Sequence, residues 1–132
     1  MRQIVYTQRL SGRLTAVGPG VLESSLAGLA EPASVAAELA FTDERTFQMT
    51  GEVVFDSGDQ LRFRSLGSGR LDRSPEPGLR HGTAVLEVCG GTGAYDRAYG
   101  RITSNFVVQD DGRITDHQLG VVFVDAEAKE AP

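Results

Sequence analysis

Along most of the chain, apolar and polar residues alternate with a period of two, which is how a β-strand distributes side chains between its two faces. In residues 3–10, Ile4, Tyr6, Gln8 and Leu10 share one face, and Val5, Thr7 and Arg9 take the other. Residues 13–17 continue the pattern past Gly12, which marks a bend or bulge, and Gly18-Pro19-Gly20 closes the unit. Strands of the same kind are predicted over 35–42, 46–56, 60–66, 83–89, 100–109 and 113–124, rich in β-branched and aromatic residues. The sets between them are turn formers: Asp43-Glu44-Arg45, Asp56-Ser57-Gly58-Asp59, Gly90-Gly91-Thr92-Gly93 and Asp110-Asp111-Gly112.

Two stretches break the rhythm. Residues 21–33 are compatible with a short helix carrying Leu22, Leu26 and Leu29 on one face and limited by Gly28 and Pro32. They are equally compatible with a loop containing one helical turn. Residues 67–82, with Ser74-Pro75-Glu76-Pro77-Gly78 inside them, read as a long loop that should cover a barrel mouth if a ligand enters there. About eight short strands at this spacing suit a sandwich or barrel, and closure removes exposed sheet edges. The expected fold is all-β, a single antiparallel eight-stranded barrel of the calycin-like kind with at most one short helix. It occupies residues 1–124, and 125–132 form a flexible acidic C-terminal tail.

Composition narrows the partners. The 132 residues suit one domain, and a hydrophobic content of 40% supplies a core without staples. A formal charge of −5 disfavours nucleic acid and anionic membrane surfaces. Cys89 is the single cysteine, so no internal disulfide forms. With neither a signal-peptide pattern at the N-terminus nor an apolar run of membrane-spanning length, the expectation is a cytoplasmic protein.

The segment Cys89-Gly90-Gly91-Thr92-Gly93-Ala94-Tyr95-Asp96-Arg97-Ala98-Tyr99-Gly100 stands between two strands. Its glycines supply positive φ and close backbone approach, Tyr95 can fold over a barrel end, and Ala98 and Gly100 are small where strands crowd. It lacks the following helix and the Gly-Lys-Ser/Thr ending of a phosphate loop. The segment resembles the Gly-Gly-Thr/Ser-Gly-x-aromatic-x-x-Ala-x-Gly hairpin of the allene oxide cyclase and dirigent superfamily, and the match runs from Val85 to about Val108. The resemblance implies a small eight-stranded barrel that needs no metal or organic cofactor. Some members close rings in reactive hydrophobic intermediates, and others guide the coupling of radicals made elsewhere. Oligomers, dimers or trimers, are common in the fold.

Candidate chemistry rests on polar residues set into apolar strands. Glu87 lies in Ala84-Val85-Leu86-Glu87-Val88-Cys89; a lumen position would raise its pKa and suit acid or base catalysis, whereas a place beside Thr83 and Val85 on a solvated face is unremarkable. Arg64, with Arg62 on the same face, would pair with Glu52 or Glu87 or hold a substrate carboxylate if it faced inward. Asn105 is unusual in a strand and could bond a substrate carbonyl or repair a bulge. Tyr6 offers a hydroxyl to the lumen or simply packs in the core. Glu87, Arg64, Asn105 and Tyr6 are the catalytic candidates, and Phe63, Glu52, His117 and Cys89 the substrate-contact candidates. His81 and His117 have no partner at metal-ligand spacing, so no metal site is expected. The leading expectation is a cofactor-independent cyclase or isomerase acting on a hydrophobic small molecule, such as a polyketide-like intermediate, held in the lumen. A non-catalytic carrier of such a molecule, or a structural barrel filled by Phe47, Phe55, Phe63, Phe106 and Phe123, are the alternatives.

Overall fold

The computed structural model describes residues 2–29 and 33–125. Nine antiparallel strands follow one another: β1 (Arg2–Gly18), β2 (Val21–Gly28), β3 (Ala33–Phe41), β4 (Thr46–Phe55), β5 (Gln60–Ser65), β6 (Gly69–Arg73), β7 (Leu79–Gly91), β8 (Tyr99–Gln109) and β9 (Arg113–Val124). A single 3-10 turn, Gly93–Tyr95, precedes β8. The ladder runs β3-β2-β1-β9-β8-β7-β5-β4-β6, and β3 also pairs with β4, so the sheet closes. β5 faces residues 50–54 of β4, β6 faces residues 46–47 of it, and both strands also pair with β7. They are two halves of one stave broken at Gly67, and the result is an eight-stave antiparallel barrel.

Closure depends on the length of β1. Its first twelve residues pair with β9, and residues from Leu10 onward pair with β2, so one 17-residue strand turns the corner between two parts of the wall. Gly12 sits at that corner, where a Cβ would run into the backbone of Ser25. The bend expected there is present, and the strand continues through it.

Two expectations are corrected. Residues 21–28 are a strand, neither helix nor loop, with Leu22, Ser24 and Leu26 inward and Glu23, Ser25 and Ala27 outward. The spacing of Leu22 and Leu26 fits both periods, and the backbones of β1 and β3 on either side select the extended one. Pro32 lies outside the described residues. The stretch 67–82 is not a loop lid but the β6–β7 hairpin, with only residues 74–78 forming its turn. Of the expected tail, Asp125 alone is described, and residues 126–132 lie outside the described residues.

The hairpin was hidden by its glycines, which are there for packing. Gly69 and Gly82 face inward with the rings of Phe47 and Phe106 lying over them, and Gly120 does the same under Tyr6; a Cβ at any of the three would overlap the ring. Large rings thus pack against bare backbone inside a narrow barrel. The interior is apolar for most of its length: Leu10, Leu39, Phe47, Val53, Leu61, Leu86, Ile102, Phe106 and Val122 are all fully buried. Each such side chain contributes about 1.5–3 kcal/mol. One end is closed by Phe41, Phe47 and Phe106, with ring centroids 5.3 and 6.0 Å apart. At the other end Tyr95 stacks on Phe55 at 4.9 Å, and Tyr6 meets Phe55 edge-on at 6.0 Å. Among the described residues, no helix is long and apolar enough to cross a membrane.

Gly82→Ala should cost about 1–3 kcal/mol, since the added methyl must displace the Phe106 ring from a packed interior. Urea unfolding checks this, and a loss under about 0.5 kcal/mol would mean that the ring moves freely.

Candidate functional site

Barrel closure sorts every side chain into inside or outside, and most of the expected site residues fall outside. On β7, Ala84, Leu86 and Val88 point inward, so Glu87 points out. It meets Arg64 of β5, Nε to Oε2 at 3.5 Å, with 62% and 42% of the two side chains exposed. A pair so exposed is worth less than about 1 kcal/mol. Asn105 and His117 also face out and stand directly opposite each other on β8 and β9, in an outer groove with Thr7, Arg9 and Leu119. Glu52 faces out opposite Arg62, and Cys89 is exposed. The expected lumen positions of Glu87, Arg64, Asn105, Glu52, His117 and Cys89 are therefore corrected. The structure does bring Arg64 to Glu87 and Asn105 to His117, but on the wrong side of the wall for an enclosed ligand. Phe63 and Tyr6 do point inward, and Phe63 is 2% exposed.

The glycine motif is a clasp. The Thr92 N–H donates to the Gln60 carbonyl and its Oγ1 accepts from the Gln60 N–H, both at 3.0 Å. The Ala94 N–H donates to Asp59 Oδ2 at 3.3 Å. Gly93 has φ +57, and a Cβ there would collide with the Asp59 carboxylate. The segment thus ties β7 and β8 to the β4–β5 turn and sets Tyr95 over the barrel end.

The polar chemistry inside the barrel lies on one wall, formed by β8, β9 and β1. Ser104 Oγ donates to Asp116 Oδ1 at 2.8 Å, Gln118 Nε2 donates to Asp116 Oδ2 at 2.9 Å, and Gln8 Nε2 donates to Gln118 Oε1 at 3.3 Å. Asp116 is 1% exposed. Burial pushes its carboxyl above the ordinary aspartate value of 3.8, against the pull of the Ser104 and Gln118 hydrogen bonds, the His117 charge and the Asn105 backbone N–H. Protonated, the acid can return a hydrogen bond to the Ser104 hydroxyl. Next along β1, Tyr6 holds its hydroxyl buried with no hydrogen-bond partner among the described residues, and burial drives its pKa well up, so the phenol stays neutral. The Ser24 hydroxyl is likewise buried and unpartnered.

Asp116 lies toward the end of the barrel where β9 begins, level with Phe106 on β8 and Leu10 on β1. A cavity of about 580 Å³ opens at that end. Ala16, Val21, Leu22 and Phe41 line it, with Glu44 on one lip and Arg80 of β7 on the other. Its size is that of a small-molecule site. Asp116 was missed in the sequence because it sits in a turn-poor strand beside a histidine; the available signal was an aspartate on the same face as Ile114, Val122 and Val124.

The closed antiparallel barrel with this strand order has a dirigent-like fold. The fold is similar to that of the pterocarpan synthase dirigent protein GePTS1, over 95% of this chain and 88% of that one, with a TM-score of 0.58 and 14% identity. No protein-family model matches the chain, and no curated protein shows significant similarity to it.

The raised Asp116 pKa makes stability pH-dependent. The folded state holds this proton more tightly than the unfolded chain, so Asp116 weakens the fold as pH rises from about 3.8 toward its folded value. Melting temperatures of the wild type and Asp116→Asn should therefore diverge as pH rises above about 4, with the wild type losing ground; parallel curves would mean that the acid titrates normally.

Proposed function

We propose that this barrel binds a small, largely apolar molecule at the mouth between Leu22, Phe41 and Arg80, and that it acts as a cofactor-independent cyclase or isomerase with Asp116 as its acid or base. The carrying observation is the hydrogen-bonded carboxyl of Asp116 in an otherwise apolar interior, near the end where the cavity opens. A barrel kept only for its fold gains nothing from that group, because burying it costs free energy that Leu or Met would not. A shielded carboxyl whose pKa is raised by burial is a candidate acid or base. Ser104 and Gln118 orient it, and the neutral Tyr6 phenol, deeper along the same wall, can donate or accept a hydrogen bond. The dirigent-like fold supports the same reading, in which an apolar substrate is held in one shape while a bond forms. The setting in this reading is the cytoplasm, and the partner is a hydrophobic small molecule.

Non-catalytic binding is the second reading. Phe41, Phe47 and Phe106 favour it, because their packed rings stand between the mouth and the deeper polar wall.

The neutral fluorophore N-phenyl-1-naphthylamine tests the site. It should bind the wild type with a micromolar dissociation constant, keep that affinity in Asp116→Asn, and lose at least tenfold in Phe41→Glu. Absence of binding to the wild type would end the reading. Turnover of any cyclisable substrate should fall about 10²–10⁴-fold in Asp116→Asn with little change in KM; equal turnover would leave binding alone.

A further inference from the structure

Resting on that reading of the mouth, we propose that its ligand carries an anionic oxygen, such as a carboxylate, phenolate or enolate, and that Arg80 with Arg73 receives it.

The argument begins with strand parity. Gly82, Ala84 and Leu86 alternate inward along β7, and Arg80 falls on the same face one step beyond Gly82. On β6, Gly69 and Leu71 point inward, and Arg73 follows them. The two arginines are direct cross-strand partners. Both therefore stand at the rim on the inward side, about 5 Å apart at Cβ. β7 lies opposite β2 in the ring of staves, yet Arg80 lines the same cavity as Val21 and Leu22, so its side chain spans the mouth.

Two other arginines at this end have carboxylate partners. Arg70 meets Asp72 at 3.1 Å, and Arg113 meets Asp111 at 2.7 Å. Asp43 Oδ1 is held by the backbone N–H groups of Arg45 and Thr46, each at 2.8 Å. Arg73 and Arg80 form no ion pair among the described residues, and Glu44 on the far lip stays outside ion-pair distance of Arg80. Like charges directly opposite on neighbouring strands repel, so this pair lowers the stability of the empty barrel. An anion between them removes the repulsion, and a guanidinium fork suits a carboxylate or phenolate edge. The apolar body of the ligand then lies on Leu22 and Phe41, and Glu44 keeps the charged group on the arginine side.

Two probes that differ by one charge separate this proposal from the reading beneath it: N-phenyl-1-naphthylamine and its sulfonate, 8-anilinonaphthalene-1-sulfonate. The sulfonate should bind the wild type more tightly than the neutral amine, and added salt should narrow the gap. Arg80→Gln should weaken the sulfonate about three- to fivefold and leave the amine within twofold, while Arg73→Gln/Arg80→Gln should weaken the sulfonate about tenfold. Both positions are exposed, and melting temperatures of the variants confirm folding. An unchanged ratio of the two affinities overturns the anion proposal and leaves the mouth as a binding site. Failure of the neutral amine to bind the wild type overturns both.

Discussion

Closure of the hydrogen-bonded ladder is the constraint from which the other features follow. Once β1 pairs with β9 along one half and with β2 along the other, and β3 joins β4, the sheet has an inside and an outside with no edge between them. Each residue's side is then set by the parity of its position. That single condition puts Tyr6, Ser104, Asp116 and Gln118 in the interior and sends Glu87, Arg64, Asn105 and His117 to the wall. Glu87 takes the face opposite its flanking Leu86 and Val88, Asp116 the face opposite Thr115 and His117, and closure turns the Leu86 and Asp116 faces inward.

The interior has two characters. The staves β3, β4 and β5 contribute Val35, Leu39, Met49, Val53, Leu61 and Phe63, and rings pack over bare glycine backbone at Gly69, Gly82 and Gly120. Across from them, β8, β9 and β1 carry one connected polar chain. Its hydrogen bonds oppose the effect of burial on Asp116, yet burial is the larger influence and its pKa is raised. The Tyr6 and Ser24 hydroxyls, buried and unpartnered, add to the cost of that interior. An interior that accepts these costs is arranged for something besides its own stability.

The barrel ends do different work. At one, the glycine clasp pins Tyr95 onto Phe55, and the hydrogen bonds to Gln60 and Asp59 make that end a fixed cap. At the other, the turns of β1–β2 and β3–β4 stand back from the β6–β7 hairpin and leave a cavity over the Phe41, Phe47 and Phe106 rings. The open end carries Arg80 and Glu44 on its lips.

Much of this was legible in the residues themselves. Alternation marked most of the strands, the turn sets marked their ends, and the segment from Cys89 to Gly100 pointed to the barrel, because each of these signals is local and needs no partner. Residues 3–17 form one strand through the bend at Gly12, as the pattern indicated, and residues 21–28, left open as helix or loop, supply a further stave. What the sequence alone could not decide was whatever depends on a distant backbone. Gly69 and Gly82 looked like loop residues because the rings that require them sit on β4 and β8. Glu87 proved to face outward, and Asp116, not among the candidates, inward, because the direction a strand's face points is set by which way the sheet curls, and that is a property of the closed barrel, not of any one strand.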